Sequence, residues 1–177
     1  MKFKQILTGL LLATTVMATA NVAEAQRRPP GVASLAEMSC QRINGRYQAS
    51  NEDVPIGFEV FRAVAYLANG PDRIEGDQSV KVACRLAAAG QNATYRSLTL
   101  SFGLSDQDSR SSGSTVRLSI YKDGNFYEYR DITSGQKFLW NIDVRGTRSL
   151  GLEGTCLRSS PRAVTCPKMY FFEDILE

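Results

Sequence analysis

From Tyr95 to Cys156 apolar and polar residues alternate in short runs. Leu98, Leu100, Phe102 and Leu104 fall at every second position, with Ser97, Thr99 and Ser101 between them. Val116, Leu118 and Ile120 repeat the pattern against Arg117, Ser119 and Tyr121. Phe138, Trp140, Ile142 and Val144 repeat it against Asn141, Asp143 and Arg145. A period of two predicts strands with one buried face. Lys122-Asp123-Gly124-Asn125 predicts a tight hairpin, because Asp-Gly tolerates the positive φ such turns need. Phe126 to Arg130 is the expected return strand, and Leu150 and Leu152 continue on the next. Earlier in the chain, Val80, Val82 and Cys84 share a face. Phe58 to Leu67 reads as one strand, ended by Asn69-Gly70-Pro71. Met169 to Phe172 supplies the last. The sum is about eight strands with little helix, an all-β chain built as an antiparallel β-sandwich or jelly roll.

The first 25 residues stand outside that pattern. Lys2 and Lys4 precede an apolar run from Ile6 to Ala18, and Ala23-Glu24-Ala25 supplies small residues for cleavage. This predicts a signal peptide over 1–25, and hence a secreted, periplasmic or extracellular protein with no transmembrane span after cleavage. Residues 26–57 read as an N-terminal extension, with one or two helical turns around Leu35 and Met38. The sandwich domain is expected over 58–177.

The chain has four cysteines, an even number that suits two disulfides in an exported protein. Three pairings are open. Cys156–Cys166 is the most economical, and Cys40–Cys84 then ties the extension to the domain. There is no histidine in the 177 residues, which removes Ser-His-Asp and Cys-His chemistry and His-ligated zinc. A net charge of +3 is too weak to suggest nucleic acid.

Sugar rings stack on exposed aromatic rings, with polar groups nearby to fix their hydroxyls. Tyr121, Tyr127 and Tyr129 lie on or beside the predicted hairpin, with Arg117 and Arg130 close in sequence. These five are the candidate ligand-binding residues. If Phe126 packs inward, Tyr127 and Tyr129 face the opposite way. Asp106 and Asp108 form a D-x-D loop able to offer two oxygens to calcium. Convergence of that loop with the tyrosines would favour a ligand site, whereas separation would favour a docking surface. The carboxylates Glu128, Asp131, Asp143, Glu153, Glu173 and Asp174 show no pairing that marks a glycosidase, so no catalytic residue is assigned. Arg145, Arg148, Arg158 and Arg162 form a basic tract suited to an acidic polysaccharide or a phospholipid surface. Asn92-Ala93-Thr94 is a glycosylation sequon.

The order of residues adds a further expectation. Ser97 to Asp106 leads into a Ser/Gly loop. Val116 to Tyr121 runs into Asp123-Gly124. Ile142-Asp143-Val144-Arg145-Gly146 is followed by Leu150-Gly151-Leu152 and a short closing strand. This resembles the NPCBM family of carbohydrate-binding modules, over roughly Ser79 to Glu177. The chain differs from the family pattern in having no histidine and in carrying Met169-Tyr170-Phe171-Phe172 where a tryptophan is common. The resemblance implies a galactose-binding-like jelly roll, which often holds a structural calcium. It implies a non-catalytic module for a carbohydrate or cell-wall glycan. The alternative is an envelope protein-interaction or structural module without a sugar ligand.

Overall fold

The computed structural model describes residues 28–70, 72–75, 79–88 and 90–177. The predicted signal peptide lies outside them. The strands are β1 Ala33–Ser34, β2 Ser39–Arg42, β3 Arg46–Ala49, β4 Asp53–Ile56, β5 Glu59–Arg62, β6 Ala65–Ala68, β7 Arg73–Ile74, β8 Val80–Arg85, β9 Ser97–Gly103, β10 Thr115–Lys122, β11 Asn125–Thr133, β12 Lys137–Asp143, β13 Ser149–Arg158, β14 Cys166–Pro167 and β15 Met169–Leu176. One 3-10 turn, Leu35–Glu37, is the only helical element among the described residues.

Two antiparallel sheets face each other. The first runs β12-β9-β15-β6-β3, with β1 also on β15; the second runs β11-β10-β13-β8-β2. Their inner faces carry the alternating apolar positions read from the sequence. Leu98, Leu100, Phe102, Phe171 and Leu67 from the first sheet meet Leu118, Ile120, Val82, Leu150 and Leu152 from the second, all essentially solvent-free. Each such side chain contributes about 1.5–3 kcal/mol through removal from water. Trp140 belongs to this core. The two cystines are Cys40–Cys84, a cross-strand pair between β2 and β8, and Cys156–Cys166.

Three expectations change. The run Phe58 to Leu67 is two strands, β5 and β6, because Ala63 and Val64 break the pairing between them. Strand β5 instead pairs with β4 in a hairpin over the outer face of the first sheet. There Val54, Ile56, Ala63, Tyr66, Ala68 and Tyr170 form a second apolar cluster. Gly103 makes the approach possible, since a Cβ there would collide with Ile56. The segment read as an extension is woven into the sandwich: β1 and β3 join the first sheet and β2 the second. A boundary at 57/58 would fall inside the β4–β5 hairpin. Finally, the condition that Phe126 packs inward is not met: it faces out and is more than half exposed. A register shift between Ile120 and Tyr121 pairs Tyr121 with Phe126 and Ile120 with Glu128, leaving Tyr127 as the extra residue of a bulge.

The N-terminal segment is held by one buried carboxylate. Asp174, on β15, is fully buried. It accepts hydrogen bonds from the Ser34 hydroxyl at 2.6 Å, the Ala36 N–H at 2.9 Å and the Tyr47 hydroxyl at 2.9 Å. Burial raises its carboxyl above the ordinary value, and the three donors pull it back only in part.

Asp174→Ala strands all three donors and is expected to cost about 3 kcal/mol or more. Asp174→Asn retains an acceptor for Ala36 and Tyr47 and is expected to cost less. The folded state favours the protonated Asp174 relative to the unfolded chain. The wild type's stability relative to the Asn variant is therefore highest below the unfolded value of about 3.9 and declines as pH rises through the raised folded value. Urea denaturation of both proteins across that window checks this, and a pH-independent difference would contradict it.

Candidate functional site

The outer face of the second sheet carries the hairpin aromatics. Register places its outward residues in rows across the strands. Phe126 on β11, Tyr121 on β10, Gly151 on β13, Ala83 on β8 and Gln41 on β2 form one row. Tyr129, Ser119, Glu153 and Lys81 form the row on one side, and Ser149, Arg85 and Ser39 the row on the other. Gly151 and Ala83 lack the bulk to fill the middle. A Cβ on Gly151 would already press Tyr121 Cβ at 3.0 Å.

The result is a furrow with an aromatic wall. One part, of about 250 Å³, is lined by Tyr121, Gly151, Ala83, Glu153, Lys81 and Ile43. A second, of about 350 Å³, shares Ala83 and Ser149 with the first and adds Ser39, Gln41, Arg85 and Arg148. Concavities of this scale, part apolar and part polar, are where small ligands bind.

Hydrogen bonds fix the furrow's edges. The Tyr121 hydroxyl donates to Glu153 at 2.5 Å, and Lys81 Nζ stands 3.2 Å from the same carboxylate. Burial pushes Glu153 up, but the donors Tyr121, Ser79 and Lys81 together hold it below the usual carboxylate range. The bond to Glu153, with burial and the nearby charge, raises the Tyr121 phenol. At the other end the hairpin turn is built as expected, with positive φ at Asp123 (50°) and Gly124 (83°). Asp123 Oδ1 then accepts the Arg148 N–H at 3.0 Å and the Ser149 N–H at 2.9 Å, which seats Arg148 at the furrow's rim.

Of the five residues singled out in the sequence, three share this face. Tyr121 packs edge-on to Phe126 with centroids 5.8 Å apart, and Phe126 lies 6.5 Å from Tyr129. The Arg117 guanidinium sits 3.8 Å from the Tyr129 ring centroid and forks onto Asp131 at 2.7 and 2.9 Å. Tyr127 and Arg130 do not join them. The bulge turns Tyr127 toward Lys122, whose Nζ is 3.4 Å from its ring centroid. Arg130 shares the inner side of its pair with Leu118, where it covers Trp140 and pairs with Glu128. Phe126, Gly151, Ala83, Gln41, Ser39, Arg85 and Glu153 were not singled out as binding residues in the sequence. Gly151, one of two glycines inside β13, was the one local sign of an open surface.

Asp106 and Asp108 lie away from the furrow. Strand β10 separates the loop that carries them, before Thr115, from Tyr121 near its other end. Asp106 accepts the Gly57 N–H at 2.5 Å and the Gly135 N–H at 2.8 Å, pinning the β4–β5 turn to the β11–β12 turn. Asp108 is forked by Arg110, which also reaches Asp72 at 3.2 Å. Among the described residues no three acidic or cysteine side chains gather as a metal site would require. Four other carboxylates are each engaged: Asp131 on Arg117, Glu128 on Arg130, Asp143 on Arg145, and Asp174 in its buried cage.

No protein-family model matches the chain, and no curated protein matches it significantly. Its likeness is to solved structures. CBM51 from Clostridium perfringens GH95, solved in complex with methyl-galactose, is 14% identical with a TM-score of 0.56, over 82% of this chain and 99% of that one. CBM51-2 with the INT domains of Clostridium perfringens ZmpB, solved in complex with GlcNAc, is 12% identical with a TM-score of 0.55, over 82% of this chain and 31% of that one. A longer ZmpB structure, holding the M60 catalytic domain with CBM51-1 and CBM51-2, gives 12% identity and a TM-score of 0.54, with 15% of that chain covered. The fold is thus the β-sandwich of carbohydrate-binding modules, in line with the galactose-binding-like expectation.

Glu153→Gln weakens the hydrogen bond, and removes the charge, that with burial raise Tyr121. Its tyrosine absorbance titration is expected to show one phenol moving down toward the ordinary value of about 10. A curve that overlays the wild type would contradict the Tyr121–Glu153 contact.

Proposed function

We propose that this chain is an exported, non-catalytic carbohydrate-binding module that takes a glycan in the furrow beside Tyr121. The observation that carries the reading is the furrow itself. An aromatic wall stands over a glycine and alanine floor, and hydroxyl, amide, carboxylate and guanidinium groups ring it. That is the combination a sugar needs: a flat apolar surface for its C–H face and fixed polar groups for its hydroxyls. Two neighbours of the same fold were solved with methyl-galactose and with GlcNAc, which supports a sugar as the ligand. Phe126, Tyr121 and Tyr129 extend the aromatic surface past the furrow, so a chain of sugars would have room to continue. Export fits the two cystines and the predicted signal peptide. Glu153 is the one carboxylate among the furrow's lining residues, which supports binding without hydrolysis by a carboxylate pair. Asp106 does not converge with the tyrosines, which taken alone favours a docking surface, but the furrow's own lining supports a sugar there.

Tyr121→Ala and Gly151→Leu are expected to weaken glycan binding about tenfold or more, the first by removing the wall and the second by filling the floor. Tyr127→Ala and Asp106→Asn are expected to leave it within about twofold of wild type. Isothermal titration against the best ligand from a glycan array, with near-UV circular dichroism to confirm folding, checks both pairs. A folded protein that binds no glycan on the array, or whose binding follows Tyr127 or Asp106 instead, would overturn the proposal and favour a docking surface for another envelope protein.

A further inference from the structure

We infer that the furrow selects an acidic glycan, one whose sugar carries a carboxylate or a sulfate ester. The inference rests on the carbohydrate-binding reading of this site and adds the class of sugar to it. The observation behind it is where two arginines without a carboxylate partner sit. Arg62, Arg117, Arg130 and Arg145 each sit against a carboxylate, at 2.5–2.7 Å. Arg85 and Arg148 are exposed and, like Arg42, Arg96, Arg158 and Arg162, have no ion-pair partner among the described residues; what sets them apart is that they lie together. Both line the same part of the furrow, and none of the residues lining that part is acidic.

Their placement is built by the fold. Arg85 points out of β8 between Ser39 and Ser149, its direct cross-strand neighbours on either side. Two serines therefore flank Arg85 on the sheet. Arg148 is held at the rim because its N–H and that of Ser149 both donate to Asp123. Asp123 is the carboxylate anchored at this end, and its Oδ1 is committed to those backbone groups. Glu153 lies at the far end of the furrow, engaged by Tyr121 and Lys81. The furrow is thus polarised along its length. A ring lying against Tyr121 has a neutral or anionic environment at Glu153 and a cationic one at Arg85 and Arg148. Guanidinium groups fork onto carboxylate and sulfate oxygens, and such charge-assisted bonds are about twice as strong as neutral ones. Of the four arginines in the basic tract of the sequence, only Arg148 takes part. Arg145 is paired with Asp143, Arg158 Nε donates to the Gly113 carbonyl, and Arg162 lines a separate cleft.

Three short oligosaccharides of matched length test this: neutral galacto-oligosaccharide, oligogalacturonate and a sulfated galacto-oligosaccharide. At low salt the wild type is expected to bind at least one acidic arm about tenfold more tightly than the neutral one, and the two acidic arms separate carboxylate from sulfate recognition. The preference is expected to vanish in the Arg85→Gln/Arg148→Gln variant, while neutral binding remains. It is expected to survive in Arg162→Gln, which removes a charge of the same sign elsewhere. Raising the salt to roughly 0.5 M is expected to weaken the acidic arms and leave the neutral arm in place. Equal or tighter binding of the neutral arm overturns the acidic selection and leaves the module reading intact. Failure of all three arms to bind the folded protein overturns both. An acidic preference that persists in Arg85→Gln/Arg148→Gln and falls in Arg162→Gln also overturns the inference.

Discussion

The buried carboxylate of Asp174 is the constraint on which the rest of the structure depends. Strand β15 occupies the middle of the first sheet, with β9 on one side and both β6 and β1 on the other. Its inward residues belong to the core, yet Asp174 places an acid in a fully buried position. Such a group is tolerated only with its acceptor oxygens satisfied. The three donors all come from the N-terminal segment: Ser34, Ala36 and Tyr47. Satisfying the acid therefore fixes that segment against the first sheet. Between Ala36 and Tyr47 the same segment crosses to the second sheet as β2, where Cys40 is bridged to Cys84. With Cys40 turned to its cystine partner, its neighbours Ser39 and Gln41 face outward. They are the far wall of the furrow.

The site thus follows from fold-level constraints rather than from a dedicated loop. A sheet face is normally a flat field of side chains. Here one strand contributes tyrosine, the next glycine, the next alanine and the edge strand glutamine, all in one row. The change in side-chain size across four strands carves a concavity. The Asp-Gly hairpin then closes one end, because Asp123 has a conformation that lets its carboxylate cap the start of β13. Aromatic surface, small floor and charged rim come from residues far apart in the chain.

That separation explains what the sequence revealed and what it did not. The long strands were legible because a buried face imposes a period of two, as in Leu98, Leu100 and Phe102 or Phe138, Trp140 and Ile142. The hairpin turn followed from residue chemistry, and of three open cysteine pairings the most economical is the one present. The faces of Phe126 and Tyr127 are not legible from alternation, because a bulge adds one residue and a count carried through it is wrong on one side. The N-terminal segment was read as an extension because its strands are of two to four residues, too short to show a period. The furrow was not legible at all as a unit. It requires the register of Gln41, Ala83, Tyr121 and Gly151, and no local pattern encodes pairing between strands so distant in sequence. The tyrosines were noticed because aromatic residues stand out, whereas a floor made of glycine and alanine announces itself only by what is missing.

The central claim is that the outer face of the second sheet, between Tyr121 and Gln41, is where a sugar sits. Amide chemical-shift mapping of the isotopically labelled chain during titration with methyl-galactoside and with galacturonate tests it most directly. The account predicts that the shifts with at least one of the two sugars concentrate at Gln41, Ala83, Arg85, Ser149 and Gly151. It predicts little change at Gly57 and Gly135, which flank Asp106 at the other end of the sandwich. Shifts confined to that other end, or none with either sugar, would contradict it.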